Sequence, residues 1–214
     1  MSGFSKPAIC TIALGNVAIN RPIIDFDADT TSQAQLCRTF YDMALETALM
    51  ARRWKFAQYS VAPGVILGFD SELWTYAYRT PSDALRVHTV NATMDNPEGE
   101  DFEVGGDSTG GVIYTNVADA TVEYTANITN SGLYSTDFVM SLGWRLAMFI
   151  APGLSASENY RQAAKKAYDD SITEADTAAG NEGKPGVPDE GSFLKDRGAF
   201  GTVPPLPSAG FRHR

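Results

Sequence analysis

Between positions 95 and 107 the chain carries Asp95, Glu98, Glu100, Asp101, Glu103 and Asp107, interrupted by Asn96-Pro97 and by Gly105-Gly106. Carboxylates at this density have two chemistries open to them. A pair fixed on facing strands can act as acid and base, or acid and nucleophile, on a glycosidic bond. Several converging oxygens can instead hold a hard cation. Both require a rigid scaffold, and this run falls in a Gly-rich turn region, so a solvated acidic loop is expected.

Other reactive groups offer less. His88 lies in an alternating segment and His213 one residue from the end of the sequence, and neither belongs to an H-E-x-x-H or comparable ligand spacing. Cys10 and Cys37 are too few and too far apart for a disulfide framework or a zinc knuckle. Their apolar, helical neighbours predict two small buried hydrophobes. The glycine-rich stretch 105–111 lacks the Gly-Lys-Ser/Thr ending of a phosphate-binding loop, and no helical pattern follows it, so a hairpin loop is predicted. There is no Gly-x-Ser-x-Gly elbow, and Asp107-Ser108 has no base in view. These residues predict no catalytic site, no metal centre and no cofactor.

Charge narrows the partners. The net charge is −9, and nearly all of it lies between Lys55 and Tyr124, where eleven acidic residues face only Lys55, Arg79 and Arg86. Such a surface repels a phosphate backbone, which excludes nucleic-acid binding through a basic patch. No apolar run approaches the roughly 20 residues of a membrane span. The first residues, Met1-Ser2-Gly3-Phe4-Ser5-Lys6, lack the pattern of a secretory leader, so a cytoplasm-like compartment is expected.

The elements that must position these residues follow from periodicity. Residues 8–19 predict a short helix weakened by Gly15. Thr30-Thr31-Ser32-Gln33 is a helix start, and Leu36, Phe40, Met43, Ala44, Thr47, Met50, Ala51 and Trp54 recur at three and four spacing as one apolar face. After Pro63-Gly64 the texture turns to short alternating segments, 74–78, 85–90, 111–115 and 120–124, which predict an antiparallel meander across about 65–125. Helix returns after Ser135, with Phe138, Leu142, Arg145-Leu146 and Phe149-Ile150 at helical spacing, and Ala151-Pro152-Gly153 stops it. Ser155-Ala-Ser-Glu158 is a capping box for an Ala-rich helix from Tyr160 to about Ala179 that covers the bundle rather than filling it.

From Gly180 onward the composition is Gly, Pro and scattered charge, yet Phe193, Leu194, Phe200, Leu206 and Phe211 recur along it. A segment of this kind gains too little apolar burial alone, and the aromatic anchors suggest ordering on a partner. The predicted fold is therefore α+β: a helical bundle (1–62 and 131–180) with an inserted antiparallel β domain (63–130) and an extended C-terminal arm (181–214).

Several segments resemble one family. Ala8-Ile-Cys-Thr-Ile-Ala-Leu-Gly15, Cys37-Arg-Thr-Phe-Tyr-Asp-Met-Ala-Leu-Glu46, Ala51-Arg-Arg-Trp-Lys-Phe-Ala57, Tyr76-Ala-Tyr-Arg-Thr-Pro-Ser-Asp-Ala-Leu85 and Leu142-x-x-Arg145-Leu-Ala147 look like the tail tubular protein A family. These are the head-to-tail adaptors of short-tailed bacteriophages. The likeness runs over about 8–180 and rests on the order and spacing of packing motifs. It departs from the family in the acidic hairpin around 95–111 and in the Pro/Gly tail.

The resemblance implies a structural virion protein, assembled in the host cytoplasm into a ring of twelve copies between portal protein and tail nozzle protein. Such a ring forms part of the DNA channel and passes DNA without sequence-specific binding. On this view Phe193, Leu194, Phe200, Leu206 and Phe211 belong to a portal-docking arm. Asp95, Glu98, Glu100, Asp101 and Glu103 would line the channel and keep the duplex sliding. The alternatives are another head-completion or tail-tube component, a carboxylate-based glycan hydrolase resting on the acidic hairpin, and a module that binds through Val203-Pro-Pro-Leu-Pro207.

Overall fold

The computed structural model describes residues 4–93, 95–154 and 158–181. They form four α-helices and two small antiparallel sheets, a mixed α+β fold. The predicted arm at 181–214, apart from Asn181, and the capping-box positions 155–157 lie outside the described residues.

Helix α1 spans Lys6–Asn16, starting earlier than the apolar pattern alone indicates, because Ser5 caps it by accepting from the Ala8 amide and Pro7 suits the first turn. It ends sooner than 19. Ile19 N–H bonds Leu14 C=O and Ala18 N–H bonds Gly15 C=O, closing the helix with Ala18 at φ 61. Helix α2, Ser32–Ala51, is capped by Thr31.

Its buried face is not the predicted one. Ala34, Cys37, Tyr41, Ala44, Leu45, Ala48 and Leu49 face the core, while Met43 is half exposed and Leu36 and Phe40 lie on the flank. The helix is apolar over more than one stripe, and the small residues, by letting neighbouring helices approach closely, take the centre. Large side chains then pack at the margin: Phe40 stacks on Phe149 with centroids 6.1 Å apart.

Helix α3, Thr136–Ile150, capped by Ser135, runs through the middle of the bundle and buries Phe138, Leu142, Leu146 and Ile150 as predicted. Among its described side chains, helix α4, Glu158–Asn181, buries Ala164, Tyr168 and Ala175, a cover as expected. Arg145 of α3 lies between the rings of Phe149 and Tyr168, 5.1 and 5.0 Å from their centroids, and donates to Thr47 Oγ1 at 3.1 Å. Cys10 and Cys37 are both buried and free, as predicted.

The chain leaves the bundle one strand earlier than the predicted boundary at 63. Strand β1, Gln58–Val61, pairs with β6, Val122–Ala126, in the register Gln58 with Thr125 and Val61 with Val122. The remaining strands are β2 (Tyr76–Arg79), β3 (Ala84–Val90), β4 (Phe102–Asp107) and β5 (Gly110–Thr115). They do not form one meander. One sheet has the order β1-β6-β3 and the other β2-β5-β4, because every connection except the β4–β5 turn (62–75, 80–83, 91–101 and 116–121) carries the chain between sheets.

The two sheets share a small core of Tyr78, Val90, Ile113, Ala120 and Val122. The bundle core is far larger, and each large side chain buried there contributes roughly 1.5–3 kcal/mol, so the bundle supplies most of the stabilisation.

An aromatic cluster sits where the two parts join. Trp54 and Phe56 meet Phe138 with centroids 5.0 Å away in each case, and Tyr134 meets Phe138 at 4.8 Å. Trp54 Nε1 donates to Ala48 C=O at 2.9 Å and Tyr134 OH to Ile128 C=O at 2.7 Å. Sequence, cluster and strand pairing thus seat the β unit on the bundle through its first and last strands.

Candidate assembly surfaces

The stretch 105–111 is a hairpin, as predicted, but most of it is strand and not loop. Gly105 and Gly106 lie in β4, and Gly111 in β5, paired through Gly105 with Val112 and Gly106 with Gly111. Only Ser108 and Thr109 separate the strands. The reason is local. Asp107 Oδ1 accepts from the Thr109 and Gly110 amides at 2.7 and 3.0 Å, which folds the turn onto itself. The glycines serve the sheet: a Cβ on Gly105 would stand 2.8 Å from the Tyr114 ring. On the same carboxylate, Arg79 Nη1 and Nη2 bond Oδ1 and Oδ2 at 2.9 and 3.0 Å, a two-pronged contact across the sheet. That contact, then the Thr109 bonds, hold Asp107 well below the usual carboxylate range.

The other acidic residues are dispersed over this end of the β unit. Asp95 and Glu98 stand on the 91–99 connection, Glu100 and Asp101 lead into β4, and Glu103 lies within it; all five are exposed. Glu103 accepts from Trp74 Nε1 at 3.1 Å, and Glu100 from Asn96 Nδ2 at 3.4 Å. Gly99 fixes the bend between them. Its φ is +74, and a Cβ there would run into the Val90 carbonyl.

Glycan hydrolysis needs one carboxyl kept protonated by an apolar pocket. Among the described residues no Asp or Glu is buried; the buried polar side chains are Thr89, Thr115, Thr125 and Ser141. Nor do three or more His, Cys, Asp or Glu side chains converge as a cation site among the described residues.

His88, on β3, bonds Thr125 Oγ1 through Nε2 at 2.7 Å, and Gln58 Nε2 donates to the same oxygen at 2.9 Å, so these side chains tie the three strands of that sheet together. Burial, then the charges of Arg53 and Arg86, holds the imidazole below its usual pKa, against a smaller opposing effect of Glu123. For Cys10, the contact with Cys37 and then burial push the thiol up, so it stays protonated and unreactive.

What the surface does offer is apolar. Residues 62–75 link β1 to β2 and leave Leu67 88% and Leu73 79% exposed, with Val65 half exposed beside them. Gly64 and Ile66 hold this connection on the outer edge of β2, where Arg79 N–H bonds Gly64 C=O and Ile66 N–H bonds Ala77 C=O, both at 2.8 Å. Phe69 stacks on Tyr114 at 5.3 Å. The run Val65-Ile-Leu-Gly-Phe69 between Pro63-Gly64 and Asp70 was the signal for this surface in the sequence.

No protein-family model matches this chain, and no curated protein matches it either. The surface therefore stands on its own geometry. No helix among the described residues is long and apolar enough to cross a membrane.

Proposed function

We propose that this chain is a structural virion subunit, a head-to-tail adaptor that assembles into a ring joining portal protein to tail nozzle protein around the DNA channel. The observation that carries the reading is the exposed apolar connection 62–75 on a β unit inserted into a helical bundle. Leu67 and Leu73 have no role in either core, and a subunit of an obligate assembly needs such residues for its contacts. The same architecture is what the sequence resemblance implies. The exposed Asp95, Glu98, Glu100, Asp101 and Glu103 suit a wall that DNA slides past without sticking. Phe193, Leu194, Phe200, Leu206 and Phe211 supply the anchors of the portal-docking arm. The ring of twelve copies follows from the resemblance.

The experiment is electron microscopy of the protein mixed with the portal of the same virus. A ring of density capping the portal supports the adaptor. A bare portal at high protein concentration removes it.

A further inference from the structure

We propose that a trough at the open end of the β unit receives residues 203–207, Val-Pro-Pro-Leu-Pro, of a second copy of this chain. The trough has a volume of about 320 Å³, and its walls are Pro63, Val65, Tyr76, Tyr78, Asp119 and Ala120, among others. Tyr76 and Tyr78 are two residues apart on β2 and so share a face, with ring centroids 6.4 Å apart and planes inclined by 32°. Tyr78 is buried and fixed as the floor, since its hydroxyl donates to Val117 C=O at 2.8 Å and accepts from the Ala120 amide at 3.4 Å. Tyr76 is half-buried, and Val65, 51% exposed, forms the opposite wall.

Aromatic-lined troughs of this type suit proline-rich segments. Each proline has its φ already fixed, so little conformational freedom is lost on docking. The chain has one such segment in Pro204, Pro205 and Pro207, and it is basic on both sides: Lys195, Arg197, Arg212 and Arg214 against Asp196 alone. The trough belongs to the part of the chain with eleven acidic residues against three basic ones, and Asp119 stands in its wall. Opposite charge thus guides the segment to this surface.

The length of chain between Asn181 and Val203 spans at most about 70 Å, which exceeds the roughly 16 Å radius of gyration of a unit of this size. A neighbouring copy is therefore within reach. Each copy offers one segment and one trough, so the contact is head-to-tail and propagates around a ring. The choice of a second copy rests on the ring proposed above; the match of trough and segment does not. Leu206 and Phe211 are also anchors of the portal arm, so this contact belongs to the protein before a portal is present.

The test uses the full chain with Leu206 replaced by the photoreactive benzoylphenylalanine, as an equal mixture of ¹⁴N- and ¹⁵N-labelled protein. Irradiation is expected to cross-link position 206 to peptides containing residues 62–78 or 118–120, with mixed isotopes in the linked pairs. The triple replacement Pro204→Ala, Pro205→Ala and Pro207→Ala should lower the yield at least fivefold. Tyr76→Ala should do the same in protein whose circular dichroism is unchanged. Cross-links confined to the helices, isotopically unmixed pairs, or a yield indifferent to the prolines would each overturn the proposal. The portal experiment makes no use of this contact, so either reading can fail alone.

Discussion

Ile12 of α1 packs against Gly143 of α3 so closely that a Cβ on Gly143 would stand 2.8 Å from Ile12 Cγ2. The methyl it would meet belongs to a β-branched side chain with one favoured rotamer in a helix, so it cannot swing aside cheaply. Gly143→Ala is expected to destabilise the protein by about 1–3 kcal/mol despite the better helix propensity of alanine. Ile12→Ala in the same chain should recover part of that loss. Urea unfolding of the two single variants and the double variant gives the coupling, and additive effects would show that the helices separate freely.

The hydroxyl of Tyr41 is buried and meets no hydrogen-bond partner among the described residues. Burial pushes the phenol far above its usual pKa, and Lys6 Nζ lies 5.3 Å from the ring centroid. Leaving a polar group unsatisfied costs about 1–3 kcal/mol, so Tyr41→Phe should raise stability by about 1 kcal/mol while keeping the ring in place. A fall in the melting temperature would mean that the hydroxyl finds a partner in solution.

Ala18 closes α1 at φ 61, a conformation that suits glycine better than any residue with a Cβ. Ala18→Gly relieves that strain and leaves the Ile19-to-Leu14 and Ala18-to-Gly15 bonds intact. The gain expected is about 1 kcal/mol, less whatever glycine adds to the freedom of the unfolded chain. Thermal unfolding measures it, and no gain would show that the turn does not persist.

His88 makes stability depend on pH in one direction. Its pKa is depressed in the folded protein, so the unfolded chain binds the proton more readily. By linkage, its contribution is present above the ordinary histidine range and is lost as the pH falls through about 6.5 and below. Denaturant midpoints measured from pH 8 to pH 5 should decline, and His88→Gln should flatten the part of the decline nearest pH 6. An unchanged slope in that variant would assign the decline to other groups.

The bundle was legible in the sequence because α2 and α3 carry three-and-four spacing and hydroxyl caps at Thr31 and Ser135 mark their starts. The face of α2 was not, since large apolar residues draw attention to Leu36, Phe40 and Met43 while the centre is built from Ala34, Cys37 and Ala48. Strand β1 escaped notice for a different reason. Only one of its four residues is even half-buried, and its partner β6 lies more than sixty positions away, so no local alternation betrays it. The hairpin at 105–111 was legible but the extent of its strands was not, because glycine marks both turns and flat strands. The trough at Tyr76 and Tyr78 needed the fold, because its walls come from three separate stretches of chain.

The pairing of β1 with β6 means that the chain enters and leaves the β unit side by side, with Gln58 opposite Thr125. Residues 62–121 are therefore an insert carried between two paired stems, with Leu85 of β3 also packed against the bundle core. In lineage terms, that is a graft point, where new surfaces can be tried without rebuilding the host.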